Sequence, residues 1–382
     1  VMRSNYKPIG KYIKRVEQRN LDLKVTRLLG LSMTKEFRET TSNIVGTDMS
    51  VYRVMSKYQF ACDFMSPIRV NKLPVVLKLD DEPNLVSPAY PVFEIKDRNE
   101  LDPEYLMMWF RRPEFDRYAI FKCDAAIRGG YDWNELCDTL IPVPSIVKQR
   151  EIVKEYNVIQ DRIALNQQLI QKLEETAQAI YREWFVEDAE DKWVKAEIKD
   201  FGSIITGKTP SSENPEDFGH EMPFVTPGDF KNYNKFALGA ERNLSKSGYS
   251  KLKNKILPAG AIIVTCIGSD MGKISIALAD CITNQQMNSI VVNETHYTDF
   301  LYYYLQSIAD EIKGIAMGGS TMPMLSKSDF ERIELIKPEI TLLLKFERIM
   351  KPINELSIAY SKENQKLAAL KDLLLSKLAT SE

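Results

Sequence analysis

From Lys148 to Phe185 the chain runs without a proline or glycine, and its apolar residues recur on one helical stripe. Alternate steps of four and three from Ile152 reach Tyr156, Ile159, Ile163, Asn166, Ile170, Leu173, Ala177, Ile180 and Trp184. That seam is apolar at every position except Asn166. A single helix here would be about 55 Å long at ~1.5 Å per residue, well beyond the usual globular helix. It must find a partner along its length, and it must separate whatever lies at its ends.

The partner is in the same chain. Gln171-Lys172-Leu173 recurs as Gln365-Lys366-Leu367, and the same offset of 194 places Ile159 on Ile353, Pro144 on Pro338 and Ile141 on Leu335. A helix predicted at Leu101–Arg112, opened by Asp102 and Pro103, has a counterpart at Thr298–Gln306, and Gly129-Gly130 has one in Gly318-Gly319. Shared order and spacing indicate a duplication. The second seam, from about Leu342 to Leu378, takes Phe346, Ile349, Ile353, Leu356, Tyr360, Leu367, Leu370, Leu374 and Leu378. Two readings stay open for Asn166 and Asn364: buried polar residues that fix register, or solvated ones.

The fold class expected is α+β, with two mixed α/β globules separated by a long antiparallel two-helix coiled coil and related by an internal pseudo-twofold repeat. The boundaries are 1–147 for the first globule, 148–187 for the central helix, 188–341 for the second globule and 342–382 for the C-terminal helix. Short apolar runs such as Val75-Val76-Leu77, separated by Pro, Asn and Asp, give the globules their strand-rich texture. The seam residues assigned to the coiled coil or to partner docking are Ile152, Tyr156, Ile159, Ile163, Ile170, Leu173, Ile180, Trp184, Ile353, Leu367 and Leu374. Arg162, Gln167 and Arg182 mark an outer face.

At 382 residues, two or more domains are expected. The net charge of −2 excludes a uniformly basic nucleic-acid binder. Charge is nevertheless uneven: residues 1–38 hold ten Lys or Arg against three acids, and 231–255 hold seven against Glu241 alone. Five cysteines with no CxxC pair fit a reducing compartment without a zinc site. With no apolar run long enough to span a bilayer and no signal-like opening, a cytoplasmic protein that does not engage membranes is expected.

Gly202–Thr209 spells the phosphate-loop pattern GxxxxGK[ST]. Such a loop needs a helix after it, and Pro210 to Pro215 is hostile to one. The competing reading is a polar loop that touches the phosphates of a polymer. Asp81 with Glu94-Ile95-Lys96 imitates a nuclease carboxylate pair in the wrong context. With only His220 and His296, no GxSxG and no loop suited to S-adenosylmethionine, no credible active site is visible. What remains in duplicate is basic, polar and loop-borne: Lys35, Arg38, Lys57, Tyr58, Lys122, Arg128 and Tyr131 in the first copy, and Lys208, Thr209, Lys231, Asn232, Lys273, Ser320 and Thr321 in the second. These types can hold phosphates and read base edges.

Leu140-Ile141-Pro142-Val143-Pro144, followed by Lys148-Gln149-Arg150-Glu151-Ile152-Val153, resembles the proline segment and Gln-x-x-Ile-Val helix start of type I restriction-modification specificity subunits. The second copy departs from it, keeping only Pro338 and carrying Lys345 in place of the glutamine. Thr206–Ser211 and Pro223–Phe230 are similar to stretches of that family's target-recognition domains. The resemblance implies a non-catalytic subunit in which each globule reads half of a bipartite, asymmetric double-stranded DNA site. It implies that the helices set the gap and dock two methyltransferase subunits that modify adenine, with restriction motor-nuclease subunits joining for host defence. No cofactor is implied in this chain; S-adenosylmethionine, ATP and Mg would belong to the partners. The rivals are a phosphate-loop or DNA-modifying enzyme, and a coiled-coil scaffold that ignores DNA.

Overall fold

In the computed structural model the described residues are 6–40, 46–65, 67–123, 131–190, 193–211, 213–268, 271–316 and 324–380. They fall into two compact units, Val1–Ile163 with Lys366–Glu382, and Ala164–Gln365. Each long helix is thus shared between units: Ile146–Arg182, continued by a π-helical turn at Glu183–Glu187, and Ile340–Lys377.

Unit 1 is built on a four-stranded antiparallel sheet in the order Ile13–Val16, Val92–Ile95, Gln59–Cys62, Val75–Leu77. Phe60 and Phe93 stack at 4.9 Å on neighbouring strands, and Phe110 meets both edge-on. Phe110 comes from the helix Pro103–Phe110, whose start is fixed as its sequence predicts: Asp102 accepts from the amides of Glu104 and Tyr105, and proline opens the first turn. Gln149 explains the helix-start motif. Fully buried, it accepts from the Asp102 amide at 2.8 Å and donates to the carbonyls of Glu100 and Pro144 at 2.9 Å each. The glutamine pins the first long helix to the cap of the shorter one. At the offset of 194 its place is taken by Leu343, also buried, rather than by Lys345, so the second copy makes the junction with apolar contact.

Unit 2 has a five-stranded sheet in the order Gly202–Thr206, Met287–Val292, Ile262–Thr265, Ile274–Ala277, Phe236–Ala237. A smaller sheet carries Met222–Val225 beside Ile282–Thr283. Helix His296–Ser307 buries Phe300, Leu301, Tyr302, Tyr303 and Leu305. With Tyr181 and Phe185 of the first long helix and Phe346 of the second, Phe300 forms an aromatic core.

Inside unit 2 the two helix segments are antiparallel, since Tyr181 meets Phe346 while Asn166 meets Asn364. Tyr156, Ile159 and Ile170 are buried, and Ile152, Ile163, Leu173, Ile180, Trp184, Ile353, Leu367 and Leu374 are half-buried. The second seam departs from expectation at Leu356 and Leu370, which are 47% and 45% exposed. Ser357, Ser361 and Leu375 are buried on that helix instead, whereas Phe346 and Leu378 are buried as expected. The buried face lies one residue on from the leucines, where small serines let helices approach. Apolar character alone could not locate it.

Candidate nucleic-acid interface

In unit 2 three segments meet at one edge of the fold. The Lys208 amide donates to the Thr283 carbonyl at 2.9 Å, and the Asn284 amide donates to the Val225 carbonyl at 3.1 Å. These bonds place Gly207–Thr209, the 3-10 turn Pro227–Asn232 and Asn284–Gln286 side by side. A reciprocal cap opens the turn: Thr226 donates its hydroxyl and amide to Asp229, at 2.8 and 2.7 Å. Lys208 and Gln285 are exposed, Thr209 donates its hydroxyl to Gln285, and Lys231 is paired with Glu241 at 2.9 Å. Lys208 and Thr209 are therefore neighbours of Asn284–Gln286, while Lys231 and Asn232 close the turn that follows Val225. Asn284, Gln285 and Gln286 were missing from the sequence-based set; the signal available was a run of amides directly after an apolar strand.

The phosphate-loop reading fails on geometry. The amides of Gly207 and Lys208 already donate to the carbonyls of Met287 and Thr283, and the first turn beyond the loop is the three-residue Pro215–Asp217. Two of the donors that would cradle a nucleotide are spent on holding the strand edge. They are equally unavailable to a polymer's phosphates, which leaves the side chains of Lys208 and Thr209.

Lys273 lies beside the far end of that turn, next to Phe230 and Tyr233. It borders an open groove of about 880 Å³ lined also by Glu174, Gln178, Lys235 and Gln306. Burial raises the pKa of Glu174 there, against the opposing pull of Lys235. Ser320 and Thr321 lie outside the described residues, as does Arg128 in unit 1.

In unit 1 the candidates divide. Lys35 is 5% exposed, donates to the Phe110 carbonyl and pairs with Asp116 at 2.7 Å. Burial lowers its pKa, an effect Asp116 partly offsets. Tyr131 is buried as well, sharing a hydrogen bond with Thr139 at 3.0 Å. Neither side chain can reach DNA. Lys35 is a core ion pair because the loop carrying it folds inward, with a φ of +63° at that residue. Lys122 pairs with Glu135 at 3.2 Å, and Arg38 is exposed on the strand Phe37–Glu39. Lys57 and Arg98 both approach the Tyr58 ring, at 5.5 and 4.8 Å from its centre, giving a cation–aromatic cluster that includes Arg98, absent from the sequence-based set. The nuclease-like carboxylates are dispersed: Glu94 pairs with Lys14, Asp81 with Lys57, and Lys96 donates to the Gly10 and Lys11 carbonyls. Among the described residues no group of three or more His, Cys, Asp or Glu could hold a metal.

Residues 190–342 match the family described as the type I restriction modification DNA specificity domain. The chain is 27% identical to the HindI specificity subunit of Haemophilus influenzae, over 78% of this chain and 81% of that one. It is 28% identical to the MjaIX specificity subunit of Methanocaldococcus jannaschii, over 45% of this chain and 40% of that one. Its fold is similar to that of the type I restriction-modification S subunit from M. genitalium, with a TM-score of 0.61 at 15% identity, covering 100% and 98% of the two chains. Residues 190–342 thus match a DNA specificity domain, and most of the chain is similar to specificity subunits of type I restriction-modification systems. No helix among the described residues is long and apolar enough to cross a membrane.

Proposed function

We propose that this chain reads double-stranded DNA as two half-sites, one by each globule, and performs no chemistry itself. Residues 1–147 and 188–341 are the reading globules; 148–187 and 342–382 are the helices that set the gap and dock two methyltransferase subunits. Adenine methylation with S-adenosylmethionine, and ATP- and Mg-dependent cleavage by restriction subunits, then belong to those partners, in the cytoplasm. The observation that carries the reading is the match of residues 190–342 to a DNA specificity domain, on which Lys208, Thr209 and Gln285 adjoin and Lys231 and Asn232 are exposed. Exposed amides and cations on one edge suit base edges and phosphates respectively.

Two measurements test this. Mapping N6-methyladenine in cells that express the system should return one bipartite motif. Duplex binding by the assembled complex should weaken with salt, log K falling by about 0.9 per phosphate contact against log salt. A flat salt response would leave only the scaffold reading.

A further inference from the structure

Unit 2 ties its globule to both helix segments through one buried polar knot. The Lys235 ammonium donates to Asp299 Oδ1 at 2.5 Å, to Tyr303 Oη at 3.1 Å and to Asn354 Oδ1 at 2.9 Å. Asn354 Nδ2 donates in turn to both oxygens of Asp299, at 3.0 Å each. The Tyr303 hydroxyl in turn donates to Glu174 Oε2 at 3.2 Å. Four elements are joined: Glu174 stands on the first long helix, Asn354 on the second, and Asp299 and Tyr303 on helix His296–Ser307. Lys235 closes the stretch that begins with Lys231 and Asn232, so the knot ends within a few residues of the candidate DNA edge.

Unit 1 has a simpler version. Glu104 occupies the place of Asp299 at an offset of 195, and Asn157 of the first long helix donates to Glu104 Oε2 at 2.7 Å. In both units a carboxylate near the start of the globule's helix is held by an asparagine amide of a long helix. The surrounding contacts are aromatic and aliphatic, which tolerate sliding and rocking; hydrogen bonds to a charged group are directional and resist both.

We propose that Asn354, Asp299 and Lys235 in unit 2, and Asn157 and Glu104 in unit 1, are positioning residues that fix how each reading surface is presented on its helices, and so how strictly the gap between half-sites is measured. The inference rests on the proposed bipartite reading. One base pair of extra gap moves a half-site by about 3.4 Å and turns it by about 35°. A globule held only by apolar contact would follow part of that displacement; one held by the knot does not.

The test uses the complex assembled with its methyltransferase subunits, on duplexes that carry the mapped half-sites at gaps varied in single base-pair steps. For Asn354→Ala we expect unchanged half-site bases, and a discrimination between the native gap and its neighbours that falls about three- to tenfold, the size of one lost hydrogen-bonded contact. Asn157→Ala, at a partly exposed pair, gives the same loosening and carries the test if Asn354→Ala fails to assemble. Methylation that drops by one factor at every gap, or discrimination left unaltered in an assembled variant, overturns the proposal. An unaltered complex that methylates no bipartite site refutes the underlying reading instead, and is recognised before any variant is made.

Discussion

Asn166→Leu should stabilise unit 2 and thereby identify what the asparagine is for. Asn166 is 0% exposed, its amide donates to Asn364 Oδ1 at 2.9 Å and to Glu363 Oε2 at 3.0 Å, and its own Oδ1 is buried without a partner. Leucine gives up two hydrogen bonds worth about 0.5–1.5 kcal/mol each, and the half-buried Glu363 and Asn364 can turn to water. In exchange the buried, unpartnered oxygen disappears, a relief of about 1–3 kcal/mol, and an apolar side chain is buried for about 1.5–3 kcal/mol. The net gain is about 1–3 kcal/mol, or roughly 2–10 °C in the melting midpoint of a unit this size, measured by scanning calorimetry. Asn166→Asp is the control in the opposite direction. A buried carboxylate facing Glu363 has its pKa raised above the unfolded value, so the loss is full at neutral pH and is relieved as pH falls through the raised pKa. If Asn166→Leu lowers the midpoint by several degrees, the residue is retained for stability, and the argument that it specifies helix register is wrong.

Glu174→Gln removes a carboxyl whose pKa burial raises. The folded state binds this proton more tightly than the unfolded chain, so the stabilisation is present below the usual glutamate pKa and is lost as pH rises through the raised value; the variant should melt above the parent at neutral pH, the difference closing on acidification. Lys35→Met strands Asp116, which also accepts from the Leu73 amide at 3.0 Å, and should cost about 3–5 kcal/mol in urea unfolding of a chain whose exposed lysines are neutral to the same change. Gly207→Ala would place a methyl 2.1 Å from the Asn284 carbonyl and 2.3 Å from that of Thr283. The loop bearing Lys208 and Thr209 must move, so duplex affinity should fall further than in Lys208→Ala, which removes one cation and lowers the salt slope by about one. Equal losses in the two variants would show that the loop's placement does not matter.

The parts of the fold that the sequence makes legible are those set by local, repeated rules. Helix periodicity gave both long helices to within a few residues, and Asp102-Pro103 marked a helix start that its cap geometry reproduces. The candidate interface is less legible because exposure is a tertiary property. Lys35 and Lys208 are alike as loop lysines, yet one is sealed against Asp116 and the other is in water. Tyr131 and Tyr58 divide in the same way: one is buried against Thr139, the other lies beneath Lys57 and Arg98. No window of sequence contains Asp116 or Arg98 beside the residues they decide.

The duplication carries a further lesson in what a repeat preserves. Gln149 has become Leu343, two carbonyls and an amide exchanged for apolar contact, although both residues sit at the same junction. The carboxylate of the globule's helix persists as Glu104 and Asp299, yet the asparagines that hold it, Asn157 and Asn354, are separated by 197 rather than 194 residues, about one helical turn out of step with the seam. A helix presents neighbouring surface every three or four residues, so an amide one turn away reaches a carboxylate that has shifted with its globule. An asparagine at either helical position makes the same contact to a carboxylate, so the seam repeats in sequence while the latch repeats only in space.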